Sequence, residues 1–477
     1  MRRWLSLLVL CAPALAPAQY SLETESLRLS FADNGDLLRA EACLPRCAAD
    51  DAHRRVFGGE DVSLLSFTGF ATEAFTLTPG VAGELTELLF EGEAAGSRRL
   101  WRIPRQGHVL ELVVSGAERL DLAAGPGLRP PPDAAGFDVW LEQARYARFQ
   151  DGEVEQFGLD EAVPAQASGN WSGFRNRFWT LMAKPEPALE VAFAAGVADP
   201  AMVLSPDPEQ STRLSIYLGP IEPHALRTAD PHLEDLMYSG LWFWLRWICQ
   251  GLYWLLGAIH AVLPHWAGAI VVLSVLVGVL MRPLSRIADR LQDQVQRTEA
   301  MLAPELAAIK AKHKGAEQSE RIIALYKKHG VHPLYSLKSL AGVAVVIPVF
   351  IGAFDMLAEN IWLVGEGFAW VEDLARPDAL AALPFTIPFF GNQFNALPFI
   401  MTAFSVWASS LHRHDALDAA ALRRQRLNLV LMALAFLALF YTFPAGMVLY
   451  WTANNALSVI KYAWRNRRAD AVKAAQP

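Results

Sequence analysis

Cys43 and Cys47, four positions apart in the segment Cys-Leu-Pro-Arg-Cys, are the residues of this chain best suited to covalent or metal chemistry. A disulfide persists in an oxidising compartment, whereas a zinc site needs a second Cys or His pair nearby. The sequence has no such pair close to Cys43, so the spacing favours a disulfide or free thiols. No metal is expected.

No pattern typical of an enzyme accompanies these cysteines. The histidines of the first half lack metal-ligand spacing, and we find neither paired carboxylates nor a Gly-rich nucleotide loop. The chain is therefore expected to have no catalytic residues and no cofactor.

Polar residues within or beside strongly apolar segments are the remaining candidates, because ionisable groups there usually have a function. Arg282 and Lys338 stand at the ends of two such segments and could attract acidic substrates or simply extend toward lipid headgroups. Thr452, Asn454 and Asn455 lie in the last segment, where they could line a groove or bond to a neighbouring helix.

Composition divides the chain that positions these residues into two contrasting halves. Charged residues make up 19% of the chain, below the roughly 25% of soluble domains. Residues 19–240 contain 18 basic and 34 acidic residues, whereas residues 241–477 contain 22 and 15. This asymmetry indicates two bodies in two environments, and the composition favours a polytopic membrane protein.

Residues 1–18 have the layout of a secretory signal peptide. An Arg-Arg start precedes a short apolar run, and small residues stand before Gln19. Cleavage before Gln19 is expected. Retention as an anchor is the alternative, although the run is short for a hydrocarbon layer of about 30 Å.

Residues 19–232 predict an all-β sandwich on the exported side. Apolar and polar side chains alternate at 27–31, 109–114 and 214–218, and turn residues such as Asn34-Gly35-Asp36 separate the runs. The length and the turn spacing fit a two-sheet sandwich.

Residues 233–468 predict a helical membrane domain. A Trp-rich segment, 236–263, is expected to lie as a helix in the membrane interface, or to begin an ordinary span. A charged helical hairpin is predicted at 285–333 and a cytoplasmic tail at 469–477. Hydropathy predicts five spans, at about 265–284, 337–357, 395–411, 427–443 and 446–463.

Basic residues orient these spans, because loops rich in Lys and Arg stay in the cytoplasm. Residues 282–328 contain ten Lys and Arg and residues 412–426 contain four, whereas residues 358–380 contain one. The sequence therefore predicts a bacterial inner-membrane protein with a periplasmic N-terminal domain and a cytoplasmic C-terminus.

An ordered set of motifs in the second half resembles the YidC/Oxa membrane protein insertases, in the bacterial YidC form with a periplasmic domain. The resemblance covers roughly residues 241–468 and, more loosely, the exported domain, for which it implies a β-supersandwich. The motif positions are Pro283, Leu284, Pro333, Pro348, Phe443, Pro444 and Gly446.

The resemblance implies an insertase and chaperone that places integral membrane proteins in the inner membrane, alone or with the Sec translocon. The implied partners are nascent membrane proteins, the ribosome, the signal recognition machinery and membrane lipids, with no specific nucleic-acid sequence. A polar groove would offer temporary partners to backbone groups that cost several kcal/mol each in hydrocarbon.

The chain departs from the family pattern in this groove. The position of the family's groove arginine is Gly278, and the polar position two residues before Pro348 is Val346. Arg282 and Lys338 are the candidates to replace the missing cation. The departure leaves open a second hypothesis, a non-insertase paralogue that assembles envelope proteins through its periplasmic domain. A transporter or a sugar-active enzyme is less favoured, because internal repeats and paired carboxylates are missing.

Overall fold

A computed structural model describes residues 20–59, 62–68, 74–93, 97–329, 337–411 and 419–474. The predicted signal peptide and Pro333 lie outside the described residues. The chain forms two compact units. Unit 1 comprises Met1–Leu241, Ala358–Glu366 and Ala375–Phe394, and unit 2 comprises Trp242–Leu357, Gly367–Leu374 and Asn395–Pro477.

Two antiparallel nine-stranded sheets form the body of unit 1. The first contains β1 Tyr20–Glu23, β2 Leu27–Phe31, β3 Leu37–Leu44, β4 His53–Gly58, β5 Leu65–Thr68, β10 Arg119–Ala123, β13 Gln166–Ser168, β16 Leu189–Phe193 and β17 Ala201–Ser205. The second contains β6 Phe75–Ala82, β7 Leu85–Gly92, β8 Arg98–Pro104, β9 Val109–Ser115, β11 Arg145–Gln150, β12 Glu153–Gly158, β14 Ser172–Arg175, β15 Trp179–Glu186 and β18 Thr212–Pro220. Among the described strands, β12 and β6 are the two edges of the second sheet.

Alternating side chains build the core between the sheets. In β2, Leu27, Leu29 and Phe31 are fully buried while the residues between them are partly exposed, as the two-residue period of a strand requires. The Phe31 ring meets Trp101 of β8 edge to face at 5.3 Å, which joins the two sheets. The predicted strands coincide with β2, β9 and β18, and the prediction of a β-sandwich is confirmed.

The Cys43 and Cys47 side chains form a disulfide at the end of β3. Both residues are buried in unit 1. Beside them, the backbone oxygen of Cys43 lies 3.0 Å from Nε2 of His108. His108 is buried, and its burial lowers the pKa of the imidazole.

Unit 1 extends further than the sequence predicted. Its N-terminal part ends at Leu241 rather than at residue 232, because Leu233 and Leu236 are fully buried. It also takes up most of residues 358–394, predicted as an exterior loop at 358–380 and a stretch that precedes the third span. These residues contain a hairpin that the sequence analysis did not predict. The remaining regular elements of unit 1 are α1 Phe137–Glu142, α2 Pro223–Ala229, β19 Ala381–Ile387 and β20 Gly391–Phe394.

The end of β14 and the turn that follows it carry two buried arginines that hold these added segments. Nε and Nη1 of Arg177 donate to the backbone oxygens of Ala358 and Ala375, at 2.5 and 2.6 Å. Nη2 of Arg175 donates to Oε1 of Glu359 at 3.1 Å. The added segments are therefore tied to the sandwich by charge-assisted hydrogen bonds.

Helix α1 supplies the negative charges that face Arg177. Asp138 and Glu142, four residues apart, lie on one face of α1, and both are buried. Nη1 of Arg177 lies 3.3 Å from Oε1 of Glu142 and 4.0 Å from Oδ1 of Asp138. Two carboxylates are therefore buried around one guanidinium, with Arg376 and Asp133 as the next charges.

Replacing Asp138 by Asn should remove a pH dependence of stability. Burial, and then the nearby Glu142 carboxylate, raise the pKa of Asp138 to about 6, although Arg177 opposes the shift. The folded state therefore binds more protons than the unfolded state between about pH 4 and pH 6, and stability falls as pH rises through this range. In the wild type, the free energy of unfolding should fall by on the order of 3 kcal/mol across this range. We expect D138N to remove most of that fall.

Urea unfolding of the full chain at pH 4, 5, 6 and 7, followed by tryptophan fluorescence, measures this difference. Asp50→Asn, a change at an exposed position of the same unit, is the control and should leave the pH dependence as in the wild type. Equal slopes for D138N and the wild type would contradict the expectation.

The regular elements in the described part of unit 2 are helices, and the segment Gly367–Leu374 adds an isolated β-bridge between Phe368 and Val371. Helix α3 begins at Phe243 instead of residue 236, because the preceding residues belong to unit 1, and Met281 breaks the predicted first span after Leu280. The helices are α3 Phe243–Val262, α4 Trp266–Leu280, α5 Arg282–Lys312, α6 Gly315–Lys328, α7 Leu337–Ala358, α8 Leu397–Leu411, α9 Ala419–Phe440 and α10 Ala445–Ala474.

Helices α4, α7, α8, α9 and α10 lie at the positions of the five predicted spans, and α5 and α6 lie at the predicted hairpin. Within the described ranges, no helix combines the length and the apolar character needed to cross a membrane. The five spans stay a prediction.

Candidate functional site

A cavity of about 770 Å³ lies in unit 2 between α4, the start of α5, α7 and α10. Gly278 of α4 contributes open space to it. A Cβ atom placed there would come 3.3 Å from Cδ2 of Leu457 and 3.9 Å from Oδ1 of Asn454. Because Gly278 lacks a side chain, the cavity reaches the polar amide of Asn454 on α10.

Four cations surround this cavity. Arg282 and Arg286 are four residues apart on α5, and Lys461 and Arg465 are four residues apart on α10, so each pair lies on one helix face. All four are exposed. The described residues that line the cavity include no Asp or Glu. The cavity therefore has a positive potential that favours anionic groups.

Aromatic side chains form an apolar wall of the same cavity. The rings of Phe350 on α7 and Trp451 on α10 meet edge to face at 4.6 Å, and both residues line the cavity. Phe440 stacks on Trp451 at 5.8 Å and contacts Phe443 at 4.9 Å. Cations and aromatic faces thus border one space, which suits a ligand with both apolar and anionic parts.

The Phe-Pro-Ala-Gly segment sets the start of α10, which carries half of the cavity's charge. The backbone oxygen of Pro444 accepts from the amides of Met447 and Val448 and so opens the helix. The amide of Gly446 donates to the backbone oxygen of Leu374 at 2.8 Å. At the other helix, Pro283 lies in the first turn of α5, where its missing N–H leaves no helical bond unmade.

The predicted groove residues separate into two groups. Gly278, Arg282 and Asn454 line the cavity. Oγ1 of Thr452 instead donates to the backbone oxygen of Val448 at 2.7 Å, within its own helix.

Asn455 is directed toward a neighbouring helix, because its Nδ2 donates to the backbone oxygen of Met401 on α8 at 3.3 Å. Thr452 and Asn455 are not among the cavity residues, and their hydrogen bonds fit the alternative of bonding within and between helices. Their role as groove residues stays a prediction. Lys338 lies in the first turn of α7, Leu284 is at the start of α5, and Pro348 is within α7. Their roles stay predictions.

Sequence reasoning missed Arg286, Lys461 and Arg465 as cavity residues. It used the basic residues of these segments only as indicators of the cytoplasmic side. The four-residue spacing of Arg282 with Arg286, and of Lys461 with Arg465, was the available signal. Each pair follows an apolar helical segment, and residues four apart lie on the same face of a helix. The spacing therefore predicts one positively charged face on each of the two helices.

Comparison with known proteins identifies both halves of the chain. Residues 258–472 match the family described as 60Kd inner membrane protein, and residues 135–255 match the YidC periplasmic domain. These ranges correspond to most of unit 2 and to the second part of unit 1. The chain is therefore an inner-membrane protein with a periplasmic domain, and the predicted resemblance is confirmed.

Similar proteins carry the name membrane protein insertase YidC. That of Pseudomonas syringae pv. syringae is 30% identical over 70% of this chain and 56% of its own length. That of Cupriavidus taiwanensis is 28% identical over 66% and 53%. A crystal structure of an active YidC insertase with its first transmembrane domain resolved is 15% identical, covers 95% of this chain and 93% of that chain, and has a TM-score of 0.36.

The chain spans about half of the length of the relatives it matches. The matched ranges nevertheless include the cavity, the Phe-Pro-Ala-Gly segment and α1. The chain is thus similar to the YidC/Oxa family, in the bacterial form that carries a periplasmic domain.

Proposed function

We propose that this chain is a membrane protein insertase and chaperone of the bacterial inner membrane. The cation-lined cavity of unit 2 is the observation that carries the proposal, because it combines an apolar wall with polar and positively charged groups. A nascent membrane segment needs both, since its helix is apolar and its flanks are polar.

The cavity residues suggest a division of roles. The aromatic wall around Phe350 and Trp451 accommodates the apolar part of the substrate. The Asn454 amide, opposite the gap at Gly278, offers hydrogen bonds to backbone groups that would otherwise cost several kcal/mol each in hydrocarbon. Arg282, Arg286 and the α10 cations attract acidic flanking residues. None of these steps requires a covalent intermediate or a nucleotide.

The membrane placement belongs to the same proposal. Helices α4, α7, α8, α9 and α10 serve as the five spans, with the sandwich in the periplasm and the C-terminus in the cytoplasm. Basic residues in the segments before α6 and after α8 support this orientation. The α5–α6 hairpin then lies in the cytoplasm, where it is available to the ribosome, the signal recognition machinery and the Sec translocon.

Photocrosslinking tests whether a substrate enters the cavity. A photoreactive residue at Asn454 should crosslink to the apolar segment of a ribosome-held nascent membrane protein. The same residue at Asn455 is the matched control, because this neighbouring position faces α8 and should give much less product. A probe at Gly278 should behave like the one at Asn454.

Equal amounts of crosslinked product from Asn454 and Asn455 would contradict entry of the substrate into the cavity. So would the absence of product from both positions when a similar insertase, tested in parallel, does crosslink. Either result would favour the non-insertase paralogue, which acts through its periplasmic domain. The insertase names of the similar proteins favour insertion over this alternative.

A further inference from the structure

The β19–β20 hairpin of unit 1 exposes large apolar side chains without any charge. Phe385 is 59% exposed and Phe389 64% exposed, and Leu380 just before β19 is 47% exposed. The sequence contains no Asp, Glu, Lys or Arg from Ala379 to Leu411. A cluster of this kind in water marks an interaction surface.

The neighbouring helix α1 exposes apolar side chains and buries charged ones, the reverse of the usual arrangement. Its carboxylates Asp138 and Glu142 are buried, whereas Val139 and Trp140 are exposed. The hairpin lies close to this helix, because a Cβ placed on Gly391 would come within 2.7 Å of Cβ of Ala135. Two separate elements of unit 1 therefore present apolar side chains where polar ones would be usual.

An ion pair and a buried hydrogen bond hold the hairpin at its base. Nη2 of Arg376 lies 2.8 Å from Oδ1 of Asp133, in the segment that leads into α1. The Arg177 guanidinium donates to the backbone oxygen of Ala375. The fixed base lies only a few residues before β19, so the exposed rings are held in position on the unit rather than carried on a free loop.

Chain connectivity limits where the hairpin can reach. Only Asn395 and Ala396 separate the end of β20 from the start of α8. Two intervening residues span at most about 11 Å between Phe394 and Leu397. If α8 crosses the membrane, the end of β20 must therefore lie within about 11 Å of the point where α8 begins.

We infer that the β19–β20 hairpin inserts its exposed phenylalanines into the headgroup–acyl boundary of the periplasmic leaflet. This inference rests on the membrane placement of α8 in the proposed function. A lipid surface fits because the segment offers no charge for pairing with a protein partner, and because apolar side chains partition about 5–10 Å into this boundary. The hairpin then anchors the periplasmic unit to the bilayer.

A thiol-attached NBD fluorophore at Phe389→Cys tests the inference in the full chain, in vesicles of phosphatidylethanolamine and phosphatidylglycerol. Cys11 and Cys249 are replaced by Ala, so that the remaining native cysteines are those of the disulfide. We expect blue-shifted emission, quenching by lipids spin-labelled with a nitroxide near the headgroup, and at least a threefold lower quenching constant for aqueous iodide than at the control position.

Glu84→Cys, at the exposed turn between β6 and β7, is the aqueous control, and Val406→Cys in α8 is the membrane control. If the Val406 probe reports lipid and the Phe389 probe reports water, the hairpin inference is overturned while the placement of α8 stands. If both report water, the proposed spans fail, and the inference fails with them. Shielding of Phe389 from both quenchers would mean that a protein, or a second copy of the chain, covers the hairpin, and would also overturn the inference.

Discussion

Replacing Arg282 and Arg286 together by alanine should lower the insertion of a substrate with an acidic exported tail by about tenfold. Each exposed cation contributes up to about 1 kcal/mol to the attraction of an acidic group, and 1.4 kcal/mol corresponds to a tenfold change. Both residues line the cavity, which has no described acidic side chain to compete with the substrate. Protease protection of the exported tail in reconstituted vesicles measures the effect.

The matched control is the double change of Arg290 and Lys310 to alanine, which removes two exposed cations of α5 that do not line the cavity. This control should insert the substrate normally, and a substrate with a neutral tail should be insensitive to both double variants. Equal losses in the two double variants would mean that total charge, and not the cavity, attracts the substrate.

Gly278→Arg tests whether a cation placed inside the cavity can restore the insertion that is lost without Arg282 and Arg286. A Cβ atom at this position would meet the flexible end of Leu457 at 3.3 Å and the amide of Asn454 at 3.9 Å. The rest of the arginine side chain can extend into the cavity that Gly278 lines. In the background without Arg282 and Arg286, G278R should restore most of the lost insertion. If G278R does not restore insertion at normal protein levels, then Arg282 and Arg286 do not act in the way that a cation at position 278 would.

Arg177→Ala should destabilise unit 1 by about 3–5 kcal/mol, the usual loss when one partner of a buried ion pair is removed. The change removes the guanidinium that lies 3.3 Å from Glu142. It also takes one of two nearby cations from the buried Asp138, with Arg376 at 3.9 Å left in place. It also removes the donors to the backbone oxygens of Ala358 and Ala375. Urea unfolding of the full chain in micelles, followed by tryptophan fluorescence, measures the loss.

Arg119→Ala is the control, because Arg119 and Asp121 form an exposed ion pair on β10 that should contribute little. Combining R177A with D138N and E142Q should recover part of the stability, since no unpaired charge then remains at this centre. An unfolding midpoint for R177A equal to that of R119A would show that the network does not support the unit.

The β-sandwich was predictable because its strands keep strict alternation. Leu27, Leu29 and Phe31 show the core face directly in the sequence. The buried ion pair of Arg177 with Glu142 could not be predicted, because the two residues are distant in the chain. Arginine is almost never fully buried unless it is paired. The sequence alone gives no measure of that pairing.

The candidate site was predictable only in part for a similar reason. Gly278 and Asn454 were found through their motif positions, and the structure brings both to one cavity. Asn454 and Asn455 are adjacent in sequence but about 100° apart around a helix, so only the packing of α10 decides which one faces the cavity. Hydropathy likewise places helices but gives no sign of a short hairpin such as β19–β20, because its first strand is as apolar as the spans beside it.

The edges of the second sheet bear on how this protein survives contact with unfolded chains. Strand β6 carries Pro79, which has no amide hydrogen to donate, and β12 carries the exposed Glu153 and Glu155. Proline and charged residues at sheet edges block the addition of further strands. The two edges of the second sheet are therefore protected against pairing with extended chains, including further copies of this protein.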